Sequence, residues 1–107
     1  MLKNKTKNTV IAKRLLRQKG LSKLIGLIGK NKARATAFKT RFGIHTFFLK
    51  FPIDVVVVDK DKKVVFIKNG IKPNKIVIWN IKFDTIIELP EGSLRQSKTK
   101  KGDILEF

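Results

Sequence analysis

One segment of the sequence, residues 43–59, holds the side chains that could support acid–base chemistry. It contains His45, the one histidine of the chain, and Asp54, the first acidic residue. Histidine changes charge near neutral pH, and a nearby aspartate can orient its ring for general-base catalysis or for ligand binding. His45, Thr46 and Asp54 therefore form a candidate small-molecule or enzymatic pocket. An alternative stays open, in which His45 bonds to backbone groups and pins a bend in the chain.

Other catalytic and metal-binding patterns are missing from the sequence. It has no cysteine, which excludes disulfides, thiolate nucleophiles and zinc sites built on sulfur. Gly26 and Gly29 lack the spacing of a phosphate-binding loop, and no serine hydrolase motif occurs. Asp59 and Asp61 are too few for a calcium loop and are typical of turn residues that bind nearby backbone N–H groups. We therefore expect no metal, no cofactor and no catalytic residue, and we favour binding over catalysis.

Positive charge is the second informative feature. The chain carries 25 basic and 8 acidic side chains, a net charge of +17, and its first 53 residues contain 14 basic residues and no acidic one. Such an excess indicates a polyanionic partner such as RNA, DNA or a ribonucleoprotein, held mainly through phosphates. The alternatives are a solvated basic surface on a structural module, or a module that binds another protein.

The basic residues fall into clusters along the chain. Those that we assign to polyanion binding are Lys3, Lys5, Lys7, Lys13, Arg14, Arg17, Lys30, Lys32, Arg34 and Arg41. A further cluster near the end comprises Lys98, Lys100 and Lys101.

Length and composition predict the class of protein. A chain of 107 residues with 42% hydrophobic side chains has room for one domain with one core, which we assign to residues 1–107. No apolar run approaches the roughly 18 residues of a membrane span, and no signal-peptide core is present. We therefore expect a cytoplasmic protein. Its oligomeric state is not indicated by any feature of the sequence.

The apolar pattern predicts the elements that must position these side chains. Residues 54–58 contain a continuous run of four valines, typical of a strand that is covered on both faces or that passes through a barrel core. Asn69-Gly70 has the composition of a turn, and residues 3–8 are predicted to be frayed or a short edge strand. Strands are predicted at residues 9–16, 35–39, 44–49, 54–58, 63–68, 76–79, 83–89 and 103–107, with short helices at 22–29 and 93–97. The fold class is mainly β (α+β), a small antiparallel β-barrel or rolled sheet with one or two short helices.

Four separated motifs resemble the DUF192 family. Residues 44–59 are similar to the family stretch S-I-H-T-F-x-M-x-F-P-I-D-V-x-F-L-D, with matches at 44–47, 51–55 and 59. Residues 21–29 resemble its R-x-x-G-L-x-G helix, residues 88–93 its E-L-P-A-G-T turn, and residues 101–103 its closing V-G-D. The resemblance covers nearly the whole chain. It implies the fold of the family but no function, because no activity is established for the family as a whole.

The sequence departs from the family pattern at three positions. Arg41 stands where many relatives have a cysteine, so any role of that thiol is absent. Lys62 replaces the glycine of a hairpin, and Lys98 replaces a glycine near the end. If Lys62 keeps a left-handed conformation, the substitution costs roughly 1 kcal/mol.

Overall fold

A computed structural model describes residues 1–17, 34–40, 43–46 and 49–107. Over these ranges the chain forms ten short strands and one helix. The strands are β1 (Leu2–Asn4), β2 (Thr9–Ala12), β3 (Leu16–Arg17), β4 (Thr36–Lys39), β5 (Ile44–His45), β6 (Ile53–Val58), β7 (Val64–Ile71), β8 (Ile76–Val77), β9 (Thr85–Pro90) and β10 (Leu105–Glu106); the helix is α1 (Ser93–Gln96).

The centre of the fold is a five-stranded sheet with the order β3-β4-β9-β6-β7. Strand β6 pairs antiparallel with β7 on one side and with β9 on the other, and all six of its residues are buried. Branched valines suit this position because they pack well against neighbouring strands. The prediction of a strand covered on both faces is therefore confirmed.

Successive side chains of β6 feed two separate apolar cores. Val56 and Val58 belong to a core that includes Leu2, Leu94 and Leu105. Ile53, Val55 and Val57 belong to the other core, together with Ile44 and Val77. Because neighbouring residues of a strand point to opposite faces, the two cores lie on opposite faces of the central sheet.

The first face is covered by what we call the terminal layer, which consists of the sheet β10-β1-β2 and helix α1. Strand β1 lies in the middle of this sheet, between β10 and β2. The prediction of a frayed or edge segment at residues 3–8 is therefore wrong for Lys3 and Asn4. Their pairing partner β10 lies about a hundred residues away in sequence, so no local pattern indicates this pairing.

The second face is covered by the β5–β8 ribbon, an antiparallel pair in which Ile44 faces Val77 and His45 faces Ile76. Ile44 and Val77 are the buried side chains of this pair, and they attach the ribbon to the second core. The predicted strand at 44–49 is described only at its ends, because residues 47 and 48 lie outside the described ranges.

The mainly β class with a short helix at 93–97 is confirmed. The sheets formed by the described strands are not closed into a barrel, so the barrel is not confirmed, and β3 pairs with β4 in parallel rather than antiparallel. The predicted strand 9–16 is divided into β2 and β3, which belong to different sheets. The predicted helix 22–29 and Arg41 lie outside the described residues.

The Asn69-Gly70 turn is not formed, because β7 continues through it to Ile71. Asp54 lies instead opposite an irregularity in the ladder, between the pairs Ile53↔Ile71 and Val55↔Lys68. Extra residues in one strand produce such a bulge, and Gly70 accommodates it with a φ of 60°.

Candidate functional site

The three residues of the predicted pocket occupy two different parts of the fold. His45 is half-buried on β5, and Thr46 follows it at the end of the ribbon. Asp54 lies in β6, in the central sheet. The histidine and the aspartate therefore lie in two different sheets.

Asp54 is 1% exposed and its carboxylate is held by backbone groups. Oδ1 accepts a hydrogen bond from the Gly70 N–H at 2.9 Å, and Oδ2 accepts from the N–H groups of Gly92 at 3.1 Å and Leu94 at 3.2 Å. A buried charge needs such partners, because an unpaired carboxylate in the interior is costly. Asp54 thus ties the bulge of β7 and the start of α1 to the central strand.

Thr46 is fully buried and serves the ribbon in a similar way. Its hydroxyl donates to the Lys72 carbonyl at 2.7 Å and accepts from the Lys75 N–H at 2.8 Å. Its own N–H donates to the Lys75 carbonyl at 2.8 Å. These bonds close the loop between β7 and β8 against the end of β5.

A polar cavity of about 410 Å³ lies beside Asp54. Its other described lining residues are Asn69, Gly70, Glu91, Gly92 and Arg95, so neither His45 nor Thr46 lines it. The geometry supports a small polar pocket at Asp54, but it does not bring the three predicted residues around one space.

The predicted basic residues are exposed wherever the structure describes them. This holds for Lys3, Lys5, Lys7, Lys13, Arg14, Arg17 and Arg34, whereas Lys30, Lys32 and Arg41 lie outside the described residues. Arg14 and Arg34 line a shared depression of about 570 Å³. The guanidinium of Arg17 lies 5.4 Å from the ring centroid of Phe107, a cation–π contact near the chain terminus.

Basic side chains of the described residues surround a cleft of about 580 Å³, which we call the basic cleft. Five basic side chains line it, and its described lining contains no aspartate or glutamate. Ile67, Asn69, Leu94 and Thr99 complete the lining. The five basic residues are Lys7, Arg95, Lys98, Lys100 and Lys101.

The basic cleft is assembled by contacts between the two ends of the chain. The Lys5 N–H donates to the Ile104 carbonyl at 2.8 Å, and the Ile104 N–H donates to Thr6 Oγ1 at 2.8 Å. Asn4, which is fully buried, donates to Thr99 Oγ1 at 3.0 Å and to Asp103 Oδ2 at 2.9 Å. These contacts bring the turn after β1 against the segment that follows α1.

Asp103 orients one of the cleft cations. Lys7 Nζ contacts both of its carboxylate oxygens, at 3.0 and 2.8 Å, and the Lys100 N–H donates to Oδ2 at 3.0 Å. Burial of Asp103 raises its pKa, but the hydrogen bonds from Lys7, Asn4 and Lys100 and the charge of Lys7 outweigh this effect. The pKa of Asp103 therefore lies below its ordinary value of 3.8.

One residue of the basic cleft was not predicted from the sequence. Arg95 gave no signal, because a single arginine in a short helix forms no pattern. The Lys98, Lys100 and Lys101 cluster was visible, but its meeting with Lys7 depends on a pairing that spans the chain.

The fold and the site define a small, mainly β protein with a lysine-lined cleft. The chain belongs to the DUF192 family, described as "Uncharacterized ACR", whose model matches residues 4–107. No curated protein matches it. Within the described ranges, no helix combines the length and the apolar character needed to cross a membrane.

Two solved structures share the fold at low sequence identity. A candidate transcription regulator from Sinorhizobium meliloti is 16% identical, with a TM-score of 0.69 over 86% of this chain and 79% of the other. A protein of unknown function from Novosphingobium aromaticivorans is 17% identical, with a TM-score of 0.72 over 88% of this chain and 73% of the other. At these identities the likeness is evidence for the fold alone.

Proposed function

We propose that this protein is a non-catalytic binder of nucleic acid, which it holds by phosphate contacts from a basic surface centred on the basic cleft. The observation that carries the proposal is the meeting of two lysine clusters from opposite ends of the sequence. Lys7 belongs to the first cluster and Lys98 to the last, and both line one cleft. Cations gathered in this way create a strong local attraction for phosphates.

The charge balance of the cleft supports the same proposal. Within the described residues, Asp103 forms a salt bridge with Lys7 and so offsets one of the five cleft cations. Arg95, Lys98, Lys100 and Lys101 are exposed and supply further positive charge. Lysine and arginine at such positions suit a phosphate backbone, which is recognised by charge rather than by base sequence.

The backbone of Lys98 provides a second line of support. Its φ of 59° lies in the left-handed region that favours glycine, which is the residue of the family pattern at this position. A strained conformation is retained where the side chain has a use that outweighs the strain, and the position of Lys98 in the cleft offers such a use.

The proposal is tested by the salt dependence of binding to a labelled single-stranded RNA and to a DNA of the same sequence. The wild-type protein should bind at low salt, and its affinity should fall log-linearly as the salt concentration rises. Replacing Lys98, Lys100 and Lys101 together with glutamine removes three cations. The slope should then become shallower by about 2, because each lost phosphate contact contributes about 0.7 for a single strand.

A matched control removes the same charge elsewhere. Lys72, Lys75 and Lys82 are also exposed, but they lie on and after the β7–β8 loop and do not line the cleft. Their glutamine triple variant should keep most of the wild-type slope. Absence of binding at low salt, or an equal loss in both triple variants, would contradict the proposal.

A second candidate function is the binding of a small polar molecule in the cavity beside Asp54. The observation in its favour is the 410 Å³ cavity, which is within the usual size of ligand sites. Glu91 and Arg95 offer exposed charges of opposite sign at this cavity. Soaking crystals with a mixture of amino acids and sugars, with Glu91→Gln as the comparison variant, tests this candidate by whether density appears there.

A further inference from the structure

Three isoleucines lie exposed on the opposite face of the protein from the basic cleft. Ile76, Ile78 and Ile81 are 67%, 70% and 65% exposed, although the buried Val77 between the first two packs into the second core. Strand alternation explains why Ile76 points away from Val77, and Ile78 directly follows the strand. We call these three side chains, with the lysines that flank them, the isoleucine surface.

The flanking residues of the isoleucine surface are basic. Lys72 and Lys75 precede the isoleucines and Lys82 follows them, and all three are exposed. The stretch from residue 72 to residue 82 contains no acidic residue. Large exposed aliphatic groups on a soluble surface commonly indicate an interaction site, and here positive charge surrounds them.

We propose that the isoleucine surface docks on an anionic lipid bilayer. The aliphatic side chains enter the boundary between headgroups and acyl chains, while the lysines contact lipid phosphates. This combination of an apolar centre and basic neighbours is the chemistry by which peripheral proteins bind membranes. This docking is independent of nucleic-acid binding, which we assign to the other face of the sheet.

The charge of the surface argues against its other occupants. A second copy of this chain would bring two lysine-flanked surfaces together and oppose like charges, on a protein with a net charge of +17. Nucleic acid offers phosphates but no aliphatic phase for the isoleucines. An anionic bilayer supplies both the negative charge and the apolar phase.

The single tryptophan of the chain reports directly on this docking. Trp79 lies between Ile78 and the following turn, is half-buried, and donates its indole N–H to the Phe83 carbonyl at 2.8 Å. Vesicles of equal parts phosphatidylcholine and phosphatidylglycerol should shift its fluorescence to the blue. Pure phosphatidylcholine vesicles should shift it much less, since they lack the anionic headgroups that attract the lysines.

Two variants separate the apolar and the charged contributions. Ile76→Ser with Ile78→Ser should weaken binding to the anionic vesicles by roughly tenfold per isoleucine. Glutamine at Lys72, Lys75 and Lys82 should weaken it by about fivefold per lysine. If the double serine variant does not fold, as judged by its circular dichroism, Ile76→Ser alone serves the same purpose.

Matched controls change similar groups elsewhere. Val10 is 49% exposed on β2, so Val10→Ser removes an exposed branched side chain from the terminal layer and should leave vesicle binding unchanged. The glutamine triple variant at Lys98, Lys100 and Lys101 removes the same charge. It should weaken vesicle binding less than the glutamine triple variant at Lys72, Lys75 and Lys82 does.

The outcomes decide between the occupants. Loss of vesicle binding in the serine variant with unchanged RNA binding supports the inference. Wild-type affinity of the serine variant for anionic vesicles would overturn it. A dimer that sedimentation detects in the wild type and that the serine substitutions dissociate, without vesicle binding, would assign the surface to self-association and also overturn it.

Discussion

The terminal layer and the β5–β8 ribbon cover opposite faces of one sheet, and they present lysines with different neighbours. In the terminal layer the lysines surround a cleft, and one of them is held by the buried carboxylate of Asp103. On the ribbon side the lysines flank exposed isoleucines. If both proposals hold, positive charge attracts a polyanion to either surface from a distance, and the neighbouring side chains decide which polyanion can make contact.

The two layers also differ in the polar group that attaches each one. Asp54 holds the start of α1 with a carboxylate that accepts three backbone hydrogen bonds. Thr46 holds the ribbon loop with a neutral hydroxyl that donates one bond and accepts one. Hydrogen bonds to charged groups are the stronger kind, so we expect the terminal layer to depend more on its anchor.

The largest effect is expected from Asp54→Asn. The amide keeps the shape of the carboxylate but presents an NH₂ group to backbone N–H donors, so at least one donor loses its acceptor. The free energy of unfolding should fall by about 3 kcal/mol, as measured by urea denaturation. The control Asp61→Asn, at an exposed position of the β6–β7 hairpin, should change it by less than about 0.5 kcal/mol. Equal free energies of unfolding for the two variants would contradict the role of Asp54 as an anchor.

Asp103→Asn should have the next largest effect. The free energy of unfolding should fall by about 2 kcal/mol at neutral pH, because the hydrogen bonds to Lys7, Asn4 and Lys100 are weakened. The loss should depend on pH. A folded-state pKa below the unfolded value of about 3.8 stabilises the fold above that value, and this stabilisation disappears as the pH falls through the lower folded-state pKa.

Urea titrations at a series of pH values test this dependence. The stability difference between the wild type and Asp103→Asn should be constant near neutral pH and should shrink once the pH falls below 3.8. A difference that grows in acid would mean that the pKa of Asp103 is raised in the folded state. The same variant also removes a negative charge beside the cleft, so RNA binding should become tighter although the fold is weaker.

Thr46→Val measures the anchor of the ribbon. Valine keeps the volume but loses both hydrogen bonds of the hydroxyl, so stability should fall by about 1.5 kcal/mol. The difference from the wild type should not change between neutral and acid pH, because no titratable group is replaced. Thr9→Val is the matched change in the terminal layer. It removes one bond, to the Ser97 carbonyl, at a half-buried position and should cost less.

The sequence predicted those features that depend on neighbouring residues. The valine run predicted a strand with two buried faces. Asp59 and Asp61 predicted the turn of the β6–β7 hairpin, and in this turn Asp59 Oδ1 accepts hydrogen bonds from the N–H groups of Asp61 and Lys63. The resemblance to DUF192 identified the family, which the match over residues 4–107 establishes.

Features that depend on distant pairing were not predicted. The central place of β1 requires β10, and the basic cleft requires Lys7 to meet residues 98–101. The bulge opposite Asp54 was interpreted as a turn, because Asn69-Gly70 has the same composition in both settings. Local propensity cannot separate the two, since a long-range hydrogen bond from Gly70 to the aspartate selects the bulge.

Lys98→Gly is expected to give a smaller effect than these variants, and of opposite sign. Lys98 has a φ of 59° and an exposed side chain in the basic cleft. Glycine adopts this conformation without strain, so the free energy of unfolding should rise by about 1 kcal/mol. The variant should therefore unfold at a higher urea concentration. RNA binding should weaken slightly, because one cleft cation is removed. A gain in stability with a loss in binding would indicate that the lysine is kept for the cleft rather than for the fold.

Lys62→Gly is the control for that interpretation. Lys62 has nearly the same backbone conformation, with a φ of 63°, but its side chain has partners within the fold. Its Nζ donates to the Phe107 carbonyl and lies 4.6 Å from the centroid of the Phe107 ring. Relief of backbone strain is then offset by the loss of these contacts, so the free energy of unfolding should change little and RNA binding should not change. If both glycine variants gained the same stability, the contacts of Lys62 would contribute nothing, and the contrast between a strained lysine that serves the cleft and one that serves the fold would fail.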